Sequence, residues 1–108
     1  MARVLKSSRD VIIQVPSLPA ATKFYEGVLG FSATTREEKI VGFETGSFTL
    51  YVEEGERPGP VFDLHVDDPQ AAKRELLAAG CVLVEEDASV PRIYLRDPYG
   101  VTFNLGKR

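Results

Sequence analysis

The feature that most constrains this chain is an internal duplication. Val15-Pro16-Ser17-Leu18-Pro19-Ala20-Ala21 lies over Val66-Asp67-Asp68-Pro69-Gln70-Ala71-Ala72. Leu29-Gly30-Phe31 lies over Ala79-Gly80-Cys81, and Phe48-Thr49-Leu50-Tyr51-Val52 over Val101-Thr102-Phe103-Asn104-Leu105. A unit repeated in this way points to a pseudo-two-fold domain rather than one continuous sheet of unrelated parts.

Each copy reads strand–helix–strand–strand–strand. In the first, alternation predicts a strand over Arg9–Val15, closed by Pro16. A helix comes next, with Ser17 as N-cap and Pro19 in its first turn. Leu18, Ala21, Tyr25, Val28 and Leu29, with Phe24 beside them, form its apolar stripe, and Gly30 stops it. Three strands complete the copy, over Phe31–Thr35, Ile40–Glu44 and Phe48–Glu53, with Gly42 weakening the middle one or easing a bend. In the second copy, strands are predicted over Val61–Val66, Cys81–Glu85, Arg92–Arg96 and Val101–Leu105. The helix runs over Gln70–Ala79, with Asp68 as cap and Pro69 at its first position. Asp97-Pro98-Tyr99-Gly100 has the residue order of a type I turn. The modules span about 9–53 and 61–105. EGERPGP, residues 54–60, carries two glycines and two prolines and reads as the linker between them.

The 108 residues suffice for one domain with a modest core. A net charge of -3 argues against a nucleic-acid partner, whose phosphates need a basic surface. No apolar run approaches the roughly 20 residues of a membrane span, and MARVLKSSRD lacks an apolar leader core. Cys81 is the only cysteine, so no intrachain disulfide forms and a cytoplasmic location is expected. Its thiol is either catalytic or, as preferred, a small buried apolar group.

Phe24-Tyr25 with Leu29-Gly30-Phe31, and Asp97-Pro98-Tyr99-Gly100 before the last strand, resemble the vicinal oxygen chelate superfamily of glyoxalases, bleomycin-resistance proteins and extradiol dioxygenases. The resemblance runs from Asp10 to Leu105. It implies an α+β fold in which tandem βαβββ modules form a cupped mixed sheet with helices on the outer face. Alternation then puts Val11, Ile13, Val15, Phe48, Leu50, Val52, Phe62, Leu64, Val66, Ile93, Leu95, Val101, Phe103 and Leu105 towards the helices. The opposite face takes the polar strand residues, which suits a wet ligand cavity or a polar subunit interface.

Metal-using members of the superfamily carry four ligands, mostly His and Glu, on the first and last strands of each module. By the resemblance these positions fall on Asp10, Tyr51, Val61 and Asn104. Valine has no donor atom and neutral tyrosine rarely ligates, so the usual metal site is expected to be absent and no cofactor is expected. The expectation is therefore a small-molecule binding or sequestering protein similar to the bleomycin-resistance branch, which is linked to antibiotic resistance, acting as a homodimer. Its ligand would meet Gln14, Tyr51, Asp63, His65, Arg92, Tyr94 and Asn104. The alternative is a lyase, isomerase or dioxygenase with a divergent metal site or one based on His65.

The roles of these residues stay open at this point. His65 beside Asp63 is either a carboxylate-held base or, as preferred, a histidine bonded to a neighbouring strand. Arg92 and Arg96 hold an anion or are solvated at a rim. Tyr51 and Tyr94 stack on a flat ligand or line a pocket mouth. Glu53, Glu54, Glu56 and Glu85-Glu86-Asp87 read as solvated strand ends.

Overall fold

The structure is a computed structural model that describes residues 6–107. The first five residues, part of the segment read above as lacking a leader, lie outside the described residues. Two compact units are present, residues 9–60 and residues 61–107 together with 6–8. The fold is α+β, and each unit is a βαβββ module built on a mixed sheet. Among the described residues no helix is long and apolar enough to cross a membrane.

The first unit contains β1 (Lys6–Val15) from residue 9 onward, α1 (Leu18–Thr22), β2 (Ser32–Arg36), β3 (Ile40–Glu44) and β4 (Thr49–Glu54). β1 pairs in parallel with β4, which pairs antiparallel with β3, and β3 with β2. Ser17 Oγ accepts the Ala20 N–H at 3.3 Å, the expected cap. The helix then departs from expectation. Only five residues are α-helical, and Lys23–Val28 widens into a π-helical turn in which Leu29 N–H reaches the Phe24 carbonyl. The extra residue per turn rotates the end of the helix away from the sheet. Leu18, Ala21 and Tyr25 pack inward as expected, but Phe24, Val28 and Leu29 are 48, 71 and 50 % exposed. The core is Leu18, Val41, Phe43, Leu50 and Val52, with Val11, Ile13, Val15 and Phe31 packed against it.

The second unit contains β5 (Val61–Val66), α2 (Pro69–Ala78), β6 (Val82–Asp87), β7 (Arg92–Arg96) and β8 (Thr102–Lys107). β5 pairs in parallel with β8, β8 antiparallel with β7, and β7 with β6. Asp68 caps α2 by accepting the Ala71 N–H at 3.1 Å. The turn before β8 closes as expected: Gly100 N–H bonds the Asp97 carbonyl, and Asp97 Oδ1 takes the N–H groups of Tyr99 and Val101. Gly100 has φ +96°, a conformation that side chains rarely adopt. Val66, Ala72, Ile93, Leu95, Phe103 and Leu105 form the core, with Leu64, Leu76 and Cys81 against it.

Three residues assigned to the helix-facing apolar set are exposed instead. Phe48 and Val101 each stand one residue before β4 and β8 begin, and Phe62 lies near the start of β5. Alternation assigns them a face, but no helix covers the strand there.

The acidic strand ends are tied down rather than merely solvated. Glu86 accepts from Gln70 at 3.0 Å and Lys73 at 2.9 Å, joining β6 to α2. Asp87 takes the N–H and hydroxyl of Ser89, and Glu85 pairs with Arg92 at 2.7 Å. Hydrogen bonds from Gln70 and Lys73 hold the Glu86 carboxyl below its ordinary value of 4.5, and those from Ser89 lower Asp87. The Gly46 N–H, aided by Arg9, lowers Glu44. All three carboxylates bind protons more weakly in the folded chain than in the unfolded one. The unfolded chain therefore takes up protons first as the pH falls through the carboxylate range, and stability is lost as it falls. We expect the thermal midpoint to drop between about pH 5 and pH 3, and Glu86→Gln to flatten that slope. A midpoint indifferent to pH over this range contradicts the assignment.

Cys81 lies before β6 against the core, and burial, with the Asp97 charge adding to it, raises its thiol pKa. A raised pKa leaves less of the nucleophilic thiolate. Reaction with a disulfide reagent such as dithionitrobenzoate at mildly alkaline pH should be slower than for a free thiol. A faster one would restore the catalytic reading.

Candidate functional site

The sheet face away from the helix carries the candidate residues in each unit. In the first unit, β1 and β4 put Gln14 beside Glu53, and Ile12 beside Tyr51. Gln14 Nε2 donates to Glu53 Oε1 at 2.8 Å, and its Oε1 accepts the Arg57 N–H at 2.8 Å. Gly55 N–H bonds the Val15 carbonyl. Gln14 thus fastens the 54–60 segment to the end of β1, and both ends of its amide are committed. Glu53 also stands 3.7 Å from Arg57 Nη1. Any side chain at Gly55 would run into the Gln14 amide, at 2.3 Å from Oε1.

Tyr51 lies across Gly42, the residue opposite it on β3. A Cβ at Gly42 would sit 2.9 Å from Tyr51 Cε1, so Gly42 makes room for the ring rather than easing a bend. No hydrogen bond involves the Tyr51 hydroxyl among the described residues.

In the second unit the candidate residues form one connected set. β5 and β8 place Asp63 opposite Asn104 and His65 opposite Gly106, while β7 places Tyr94 opposite Asn104. Asn104 Oδ1 accepts the Ile93 N–H at 2.9 Å, and its Nδ2 donates to Asp63 Oδ1 at 2.9 Å. The other oxygen, Asp63 Oδ2, stands 3.2 Å from His65 Nε2. The preferred sequence reading, a histidine bonded to a neighbouring strand, is therefore replaced by one paired with a carboxylate of its own strand. Both side chains point to the same face because they are two residues apart. Asp63 is 14 % and His65 26 % exposed.

Arg92 and Tyr94 form the other part of this face. The Arg92 guanidinium lies 5.1 Å from the Tyr94 ring centroid and pairs with Glu85. Tyr94 is 2 % exposed, so its ring is a support for Arg92 rather than an open stacking surface. Arg96 is exposed, consistent with rim solvation.

Gly106 is the residue that sequence reasoning missed. The last strand was expected to stop at Leu105, but β8 runs on to Lys107. A Cβ at Gly106 would meet Asp63 Oδ1 at 3.2 Å and His65 Cδ2 at 3.4 Å. The pair leans over the glycine. Its place two residues after Asn104, on the same face, was the available signal.

Two of the four positions that the resemblance assigns to metal ligands lack an open donor. Val61 offers only hydrocarbon and is 1 % exposed. Both polar atoms of the Asn104 amide are engaged by Ile93 and Asp63. Among the described residues, no three His, Cys, Asp or Glu side chains are grouped to hold a metal.

A family model described as a glyoxalase-like domain matches residues 10–106. The chain belongs to this family. That description agrees with the glyoxalase part of the resemblance carried by the two sequence signatures. A hypothetical protein from Bacillus halodurans C-125 is 18 % identical, with 92 % of this chain and 91 % of that one aligned at a TM-score of 0.65. The Mn(II)-bound glyoxalase from Novosphingobium aromaticivorans is 21 % identical over all of this chain and 42 % of its own, at 0.64. An extradiol ring-cleaving dioxygenase from B. fuscum is 17 % identical over 99 % of this chain and 33 % of its own, at 0.59. At such identities the likeness concerns the fold. The chain spans less than half the length of that glyoxalase and a third of that dioxygenase. A search of curated proteins finds no match.

Proposed function

We propose that this glyoxalase-like domain binds or sequesters a small molecule and does so without a resident metal ion, in the manner of the bleomycin-resistance branch. The carrying observation is at two of the superfamily's four ligand positions. Val61 has no donor, and the Asn104 amide is spent on the Ile93 N–H and Asp63. A divalent ion needs several converging donors with open lone pairs, and these positions do not supply them.

On this reading His65 touches ligand on the face of the second unit, and Tyr51 marks the corresponding face of the first, each on its own unit. Asp63 and Asn104 orient His65, Arg92 on Tyr94 forms a wall, and Gln14 secures the chain end beside the first surface. Affinity comes mainly from apolar burial, with few polar groups fixing orientation. The homodimer implied by the resemblance is part of the proposal, and light scattering at working concentration tests it. A second reading, an enzyme of the same superfamily using His65, is favoured by one observation, the Asp63 carboxylate 3.2 Å from the ring.

The test is a thermal-shift and calorimetric screen of flat, drug-like compounds, bleomycin included, run with and without a chelator. We expect at least one compound to raise the midpoint equally under both conditions. Shifts that vanish with chelator overturn metal independence. Turnover of a compound, lost in a His65→Leu variant, selects the enzyme reading instead.

A further inference from the structure

We propose that His65 Nδ1 is a hydrogen-bond acceptor that selects ligands carrying a weakly acidic O–H or N–H, with Asp63, Asn104 and Gly106 as its positioning residues. The inference rests on the proposed small-molecule role and names the class of molecule that this face prefers.

The orientation comes from a chain of fixed contacts. The Ile93 N–H anchors Asn104, and Asn104 anchors Asp63 Oδ1. With one oxygen held, the other faces His65 Nε2 at 3.2 Å. A carboxylate at that distance favours the proton on Nε2, which leaves the lone pair of the neutral ring on Nδ1. No hydrogen bond to Nδ1 occurs among the described residues. Gly106 lets this arrangement lie flat, because a Cβ there would press on both Asp63 Oδ1 and the ring carbon Cδ2.

The consequence is a sign preference. A ligand that donates satisfies Nδ1, whereas an ether or carbonyl at the same place sets lone pair against lone pair. Two of the neighbouring groups are already committed. The Asn104 carbonyl oxygen is used by Ile93, and Arg92 is a donor held to Glu85.

His65 is the only histidine in the chain, so its ring nitrogens can be read without ambiguity by ¹⁵N NMR. At about pH 8 we expect the Nε2–H tautomer with an unprotonated Nδ1, as the Asp63 contact to Nε2 dictates. The probe is 4-chlorophenol, planar and still carrying its O–H at this pH, against 4-chloroanisole, which lacks the O–H. We expect 4-chlorophenol to move the Nδ1 resonance and to bind at least about tenfold more tightly than 4-chloroanisole. Asp63→Asn should erase the tautomer preference, and Gly106→Ala should weaken 4-chlorophenol without altering 4-chloroanisole. If either variant fails to fold, the wild-type tautomer and the paired probes decide alone. A protonated Nδ1 with bare Nε2, equal affinity for the two probes, or no binding of 4-chlorophenol each overturns the inference. Binding of other compounds in the chelator screen would leave the broader role standing in every one of these cases.

Discussion

Phe43→Ala should cost about 3–5 kcal/mol and leave the first unit largely unfolded at physiological temperature. Phe43 has no exposed surface and sits among Leu18, Val41, Leu50 and Val52. Its ring centroid is 5.6 Å from that of Tyr25, the last residue of the helical segment to pack inward. Truncation removes the transfer free energy of the ring and leaves a cavity between sheet and helix. The helical segment has little to hold it otherwise, since five α-helical residues and one π-type turn are not stable alone. Urea or guanidinium unfolding measures the change in midpoint. Val28→Ala is the control: 71 % exposed, it should change stability by less than about 0.5 kcal/mol. A small loss for Phe43→Ala, or a large one for Val28→Ala, would mean that the π-type turn does not rotate the helix as described.

Asn104→Leu should cost about 2–4 kcal/mol although leucine matches asparagine in size. The substitution strips two partners at once. The Ile93 N–H loses its acceptor, and Asp63 Oδ1 loses its donor. Each group left without a partner costs more than a hydrogen bond contributes, and a carboxylate more than an amide. Asp63 is then free to turn, so the preference of His65 for its Nε2–H tautomer weakens in parallel. Asn104→Asp separates the two contacts. It keeps an acceptor for Ile93 but opposes two carboxylates, so it should destabilise at neutral pH and recover as the acids are protonated. Thermal unfolding of the two variants across pH checks this. A Leu variant as stable as wild type would dissolve the network on which the site depends.

Much of the architecture was legible because the signals are local. Ser17 and Asp68 announce their helices by capping chemistry, and both accept the amide three residues on. The repeat supplied the order of elements, and three strands, Ile40–Glu44, Val61–Val66 and Arg92–Arg96, begin and end where expected. The π-type turn was not legible, because Phe24, Val28 and Leu29 satisfy a 3.6-residue stripe equally well on paper. The exposure of Phe48, Phe62 and Val101 was not legible either. Alternation reports a face, not how far the helix reaches along the strand.

The candidate residues of the second unit were legible as a shared face, but their bonding was not. Nothing in residue order says that Asn104 will divide its amide between Ile93 and Asp63, or that Asp63 will then face His65. Gln14 shows the same limit. Its position suggested a ligand contact, whereas its amide ties Glu53 to the backbone of Arg57. Gly106 was passed over because a glycine after an apolar residue reads as the end of a strand, and only its close approach to Asp63 and His65 reveals its use.

Metal content bears most directly on the proposal that this domain binds ligand without a resident ion. Protein purified without chelator should carry far less than one divalent ion per chain, and titration with Mn(II) should show no saturable heat. One ion per chain, retained through dialysis and released when Asp10 or Asn104 is replaced by alanine, would contradict it.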